Sequence, residues 1–144
     1  MDKKVKFIRP FKDIEPYVGG VDWKGMNWIN WQVATPKTVG IENAWLGMTM
    51  VPKGRSSRKH AHPYEEIYFV LEGEMIIEVG DNGEEKYHMQ RYDMLYFPPR
   101  TMHQIRNFSK EDVLFAFIYA PLPAGVAEGK VDIYEGTISD TPSY

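Results

Sequence analysis

The chain contains no cysteine. Disulfides, thiolate metal ligands and a cysteine nucleophile are therefore excluded. No apolar run approaches the roughly 20 residues needed to cross a bilayer. The opening stretch, MDKKVKFIRPF, has basic residues but no apolar run of signal-peptide length behind them. These absences predict a cytoplasmic protein with no membrane partner. Neither sign of charge is in large excess: 17 Lys and Arg against 20 Asp and Glu leave a net charge of −3. The two signs are interspersed, so no nucleic-acid partner is expected. Histidine is scarce, with four in 144 residues, which makes the position of each one informative. No internal repeat and no low-complexity segment is present.

What the chain does have is apolar content, at 43%, in a length that suits one domain with a respectable core. Residues 1–40 are rich in Gly, Pro and Trp and hold no sustained period, so they read as an irregular, Trp-rich extension. Trp23, Trp28 and Trp31 are expected to cover a hydrophobic surface, as core packing or a subunit contact. From residue 41 to 121 the pattern is one of strands: AWLGMTMV (44–51), EEIYFVLEG (65–73), EMIIEVG (74–80), EEKYHMQ (84–90), DMLYFPP (93–99), HQIRNFS (103–109) and DVLFAFIYAP (112–121). Met75, Ile77 and Val79 alternate onto one face, and Asp81-Asn82-Gly83 marks a turn. Strands at short intervals without intervening helices predict an all-β antiparallel sandwich or small barrel. Residues 122–144 read as a loop-rich tail laid over it.

The chemistry concentrates in GRSSRKHAHPYEEIYFVLEG, Gly54 to Gly73. On a strand, residues i and i+2 share a face, so His60 and His62 project together. Glu66, Tyr68 and Val70 share one face of the next strand. If that face is the interior, Glu66 is a carboxylate among apolar neighbours, which is costly without a partner. A divalent cation is one such partner, and two imidazoles nearby make a half-site. Spacing alone leaves both His88 and His103 open as a further ligand.

These residues resemble the motifs of the cupin family. Its first motif is Gly, five residues, His-x-His, three or four residues, Glu, six residues, Gly, and it is matched throughout by Gly54, His60, His62, Glu66 and Gly73. The second is Gly, five residues, Pro-x-Gly, two residues, His, three residues, Asn. It is matched by Pro98, His103 and Asn107, while Tyr92 and Arg100 stand at its two glycine positions, both of them turns. The resemblance implies a double-stranded β-helix, or jelly-roll, cupin barrel. It also implies one divalent transition metal (Fe, Mn, Ni, Zn or Cu) held by His60, His62, Glu66 and His103, with His88 left to the surface. Two open coordination positions would admit water, a bidentate substrate or O2.

By parity with His60, Arg58 and Ser56 should face inward and Arg55, Ser57 and Lys59 outward. Arg58 is a candidate clamp for a substrate carboxylate. Tyr68 is a candidate hydroxyl donor to a bound ligand, with core packing as its other role. The functional expectation is a metal-dependent enzyme acting on a small, chelating carboxylate, hydroxy-keto compound or diol. Lewis-acid chemistry or O2-dependent oxidoreductase (dioxygenase) chemistry would serve, with decarboxylase, lyase or isomerase as further reaction types. The alternatives are a non-catalytic small-molecule-binding cupin and a sugar isomerase or epimerase. The Trp-rich segment and the two-sided apolar strand 112–121 predict a homodimer.

Overall fold

The computed structural model describes residues 4–22, 25–121 and 134–135. Trp23 and all of the predicted tail except two backbone positions lie outside that set. Among the described residues, helix is confined to two short turns, α1 (Pro10–Asp13) and α2 (Pro36–Val39). The strands are β1 (Tyr17–Gly19), β2 (Trp28–Ala34), β3 (Trp45–Val51), β4 (His60–Ala61), β5 (Glu65–Glu72), β6 (Met75–Val79), β7 (Glu85–Met89), β8 (Met94–Phe97), β9 (His103–Arg106), β10 (Val113–Ala120) and β11 (Tyr134–Glu135). They form a larger sheet ordered β1-β2-β3-β10-β5-β8 and a smaller one ordered β11-β4-β9-β6-β7, with every named pair antiparallel. This is the all-β double-stranded β-helix that the strand pattern and the motifs predict.

The irregular reading of residues 1–40 is corrected at β2. That segment is a seven-residue strand paired along β3, with Asn30 opposite Thr49 and Trp31 opposite Met48. Its alternation, with Ile29, Trp31 and Val33 on one face and Asn30 and Gln32 on the other, was hidden by the Gly- and Pro-containing sequence on either side of it. Trp31 and Val33 point outward and join Leu114 in a second core on the outer face of the larger sheet, against which Ile8, Ile14, Met48 and Met50 pack. Phe11 closes on Trp31 edge-to-face, with ring centroids 5.1 Å apart. This second core explains why β10 is apolar on both sides. It accounts, inside one chain, for Trp31 and for the outward Leu114 of β10. Exposed apolar residues also remain on the outer face of β10, β5 and β8 and beside them: Ile118, Phe69, Tyr92, Met94 and Tyr96.

The main core fills the space between the sheets. β5 turns Glu66, Tyr68 and Val70 inward, and β10 answers with Tyr119, Phe117 and Phe115 in register. Gly47 lies opposite Phe117, and a Cβ there would fall 2.1 Å from the Phe117 ring, so the missing side chain is what admits the aromatic. Gly73 of the first motif takes φ +79°, and a Cβ would sit 2.6 Å from the Asp112 carbonyl oxygen. Tyr92 and Arg100, standing where the second motif has glycine, keep the left-handed backbone, with φ 73° and 62°. Asn107, fully buried, donates to the carbonyls of Val51 (2.9 Å) and Glu111 (2.8 Å) and accepts from the Ser109 amide, so it ties the turn before β10.

Candidate metal centre

β4 and β9 pair with His60 directly opposite His103, which is how two segments 43 positions apart in sequence bring their imidazoles together. Two residues on from His60, His62 points the same way, and Glu66 enters from β5 beyond the Pro63–Tyr64 turn. One ligand atom from each of His60, His62, Glu66 and His103 lies within 4.8 Å of the other three. His88 is exposed and hydrogen-bonds Glu74 at 3.0 Å, well away from this cluster.

The hydrogen bonds around the ring settle which nitrogens face inward. His60 Nδ1 donates to the Arg58 carbonyl (2.7 Å) and His103 Nδ1 to the Thr101 carbonyl (2.8 Å). A neutral imidazole held this way presents an unprotonated Nε2 lone pair to the centre. His62 Nδ1 donates to the Tyr64 hydroxyl oxygen at 3.3 Å, which leaves its Nε2 unprotonated as well. Glu66 Oε1 then lies 2.9 Å from His103 Nε2, and Oε2 lies 3.4 Å from His62 Nε2. Lone pair faces lone pair, and neither carboxylate oxygen, though fully buried, meets a hydrogen-bond donor. A divalent cation held by the four side chains would satisfy all of these donors at once. The residues present therefore fit a divalent transition metal.

Electrostatics agree. Burial, reinforced by His103, lowers the His60 imidazole to about 3, so it is neutral and able to ligate. For Glu66, burial pushes the carboxyl up, but the surrounding imidazoles of His103, His62 and His60 outweigh it and hold the group below the usual carboxylate range. Burial and the Glu66 charge raise the hydroxyls of Tyr68 and Tyr119 well above the ordinary phenol value. Both stay protonated donors: Tyr68 toward His103 Nε2 at 3.0 Å and Tyr119 toward His62 Nε2 at 3.4 Å.

Beside the cluster lies a cavity of about 130 Å³, close to the roughly 150 Å³ that accepts a benzene ring. His60, His62, Tyr68 and Tyr119 line its inner end, while Tyr17, Trp28 and Arg58 belong to its rim. The Arg58 guanidinium lies 5.8 Å from the Trp28 ring centre, and Trp28, which packs against the main core as the sequence suggested, also forms part of the cavity wall. The parity argument for 55–59 fails at Arg55. That side chain is buried, donating at 2.6 Å to both Asp22 and the Gly25 carbonyl. Residues 57–59 are not in a strand, and only an isolated bridge, Ser56 to Arg106, joins this stretch to its neighbour, so strict alternation does not extend back from His60. Ser57 likewise reaches the cavity. Sequence reading missed Tyr64, Tyr119, Asn30 and Thr49. Tyr119 could have been found by its parity with Phe115 and Phe117, whereas Asn30 sat in a segment read as irregular and Thr49 in a strand read as apolar.

Comparison with known proteins agrees with this geometry. A family model described as Cupin domain matches residues 47–119. The chain is 31% identical over 142 residues to "Polyketide synthase CurC" of Streptomyces cyaneus, covering 97% of this chain and 86% of that protein. It is 30% identical over 99 residues to "Tetracenomycin polyketide synthase protein TcmJ" of Streptomyces glaucescens, covering 68% and 64% respectively. Among solved structures, the polyketide cyclase RemF of Streptomyces resistomycificus superposes with TM-score 0.72 at 13% identity, covering 95% of this chain and 89% of that one. At that identity the likeness concerns the fold alone.

Proposed function

The chain belongs to the cupin family, and from that premise we propose a metal-dependent enzyme that promotes intramolecular ring closure of a substrate carrying 1,3-related carbonyl groups. The observation that carries the reading is the buried Glu66 carboxylate, which meets three imidazoles and no proton donor. The polyketide names of two relatives support the substrate class.

A divalent cation held by His60, His62, Glu66 and His103 would supply Lewis acidity, polarising a carbonyl and stabilising the negative charge that builds on its oxygen. The protein's own groups do the rest. Backbone carbonyls of residues 58 and 101 fix the rings of His60 and His103. Tyr68 and Tyr119, kept protonated, donate rather than abstract. Val51, Ile105, Phe115 and Phe117 make an apolar wall that excludes water and favours a flat ring. No carboxylate lines the cavity among the described residues, which suits a substrate whose methylene between two carbonyls is already acidic. In ring closure a methylene C–H is lost, a C–C bond forms to a second carbonyl carbon, and the proton ends on that carbonyl's oxygen. No oxidant is consumed.

The test is protein purified without an affinity tag, assayed for metal by mass spectrometry and incubated with a short 3,5,7-triketo thioester, whose C2 methylene can add to the C7 carbonyl in a six-membered ring. A ring-closed product that disappears on chelation is expected. Oxygen uptake with an oxygenated product would replace this reading with dioxygenase chemistry. Metal-loaded protein that binds the compound without turnover would make it a non-catalytic binding cupin. We further propose a homodimer through the exposed face of β5 and β8. Light scattering should give twice 16.7 kDa, and the mass of one chain would reject it.

A further inference from the structure

The wall of the cavity formed by the larger sheet holds a polar chain that the metal cluster does not use. Trp45 Nε1 hydrogen-bonds Gln32 Oε1. Gln32 Nε2 donates to Asn30 Oδ1 at 2.7 Å, and Asn30 Nδ2 donates to Thr49 Oγ1 at 2.9 Å. All four side chains lie on the inner face of β2 and β3, and Asn30, Thr49 and Trp45 are buried.

The direction of this chain is fixed by chemistry. An indole N–H can only donate, so Gln32 must present its oxygen to Trp45 and its nitrogen onward. The same logic orients Asn30, whose oxygen accepts from Gln32 and whose nitrogen serves Thr49. Thr49 Oγ1 is therefore an acceptor within the relay, and its own proton is left over. None of the described residues takes that proton. Asn30 and Thr49 line the same cavity as His60 and His62. Bonds aligned head to tail also polarise one another, which strengthens the terminal donor.

We propose that the relay Trp45–Gln32–Asn30–Thr49 is a built hydrogen-bond donor site, ending at the Thr49 hydroxyl, for an oxygen of a ligand whose other oxygens reach the metal centre beside the same cavity. This rests on the ring-closure reading and narrows it. The preferred ligand carries oxygens in a 1,3,5 pattern: two for chelation and a third, too far along the chain to chelate with them, for Thr49. Thr49 is a specificity-determining residue, and Gln32 and Asn30 are positioning residues acting through it.

The experiment compares heptane-2,4,6-trione with heptane-2,4-dione, which lacks the third oxygen, by calorimetric titration of metal-loaded protein. Wild type should bind the trione about tenfold more tightly, the value of one good hydrogen bond. Thr49→Val should remove that preference while leaving metal content and dione affinity unchanged, and Thr49→Ser should restore it. Gln32→Met, away from the cavity lining, should weaken the preference about threefold and guards against a folding defect in Thr49→Val. If Thr49→Val keeps the full preference with metal and dione binding intact, the donor site is overturned and the metal reading stands. If wild type holds no metal and binds neither ketone, both fall.

Discussion

Strand β5 carries two environments on one face. Glu66, Tyr68 and Val70 all point inward and all are buried. At the Glu66 end the neighbours are imidazoles and phenols, and the carboxylate is unsatisfied by protein donors. At the Val70 end Val51, Met75, Ile77, Val113 and Phe115 are each at most 1% exposed. The dry end removes apolar surface from water, at roughly 25 cal/mol per Å², and stabilises the fold. The polar end desolvates an acid and three bases, which opposes folding until a cation offsets it. Stability and chemistry thus occupy the two ends of one strand, and changes at one end should spare the other.

The hardest blow to that separation is a cavity at the dry end. Ile77→Ala, on β6 and clear of the metal cluster, should lower unfolding free energy by about 2–5 kcal/mol with unchanged metal stoichiometry in the folded protein. Urea titration alongside metal analysis measures both. Loss of metal by this variant would show the ends to be one unit.

At the polar end the expected signs diverge. Glu66→Gln should weaken metal binding at least about 100-fold, equivalent to about 2.7 kcal/mol. In chelator the same variant should melt no lower than wild type, and higher if the new amide N–H donates to His103 Nε2. A large drop in the metal-free melting temperature would mean that Glu66 stabilises the fold by itself.

Acid sharpens the contrast next. His60 is depressed to about 3 when folded, against an ordinary value of about 6.5 when unfolded. Between those values the unfolded chain binds the extra proton, so stability rises with pH across the window and is lost as pH falls through it. At roughly 1.4 kcal/mol per unit, the metal-free protein should lose a few kcal/mol at most between about pH 6.5 and 3. His60→Gln should flatten that slope in denaturation curves taken at several pH values. An unchanged slope would assign the acid sensitivity elsewhere.

How far these environments could be read in advance follows from what fixes each residue. The four-residue cluster was legible because its geometry is local and repetitive: His60 and His62 by strand period, Glu66 by the turn between, and His103 through motif spacing that encodes a strand pairing. The inner face of β5 was legible for the same reason. The relay was not, because Asn30, Gln32 and Thr49 acquire meaning only when β2 docks on β3 in one register. β2 itself was obscured by the Gly- and Pro-containing sequence on either side of it. Arg55 was misread because alternation holds only inside a paired strand, and residues 57–59 lie outside one.

The smallest expected effect tests the comparison at its hinges. Where the second motif has glycine, the left-handed backbone is held by Tyr92 and Arg100, one at each end of the strand face: the Tyr92 amide donates to the Val70 carbonyl at 2.8 Å and the Arg100 amide to the His62 carbonyl at 2.6 Å. A side chain in that backbone region costs roughly 1–2 kcal/mol, whereas glycine adds about 0.5–1 kcal/mol of unfolded-chain freedom. The balance favours glycine by up to about 1.5 kcal/mol where the side chain makes no other contribution. Tyr92 stacks on Phe69 at 6.4 Å and under Arg91 at 4.7 Å, so Tyr92→Gly forfeits contacts and should gain nothing. Arg100 is exposed at its turn, and Arg100→Gly should stabilise the protein while Arg100→Ala, which keeps the Cβ, should not. Equal gains from glycine and alanine in denaturant titrations would show that the backbone at residue 100 is not strained, and that the turn holding His62 is set by the barrel rather than by its own residue.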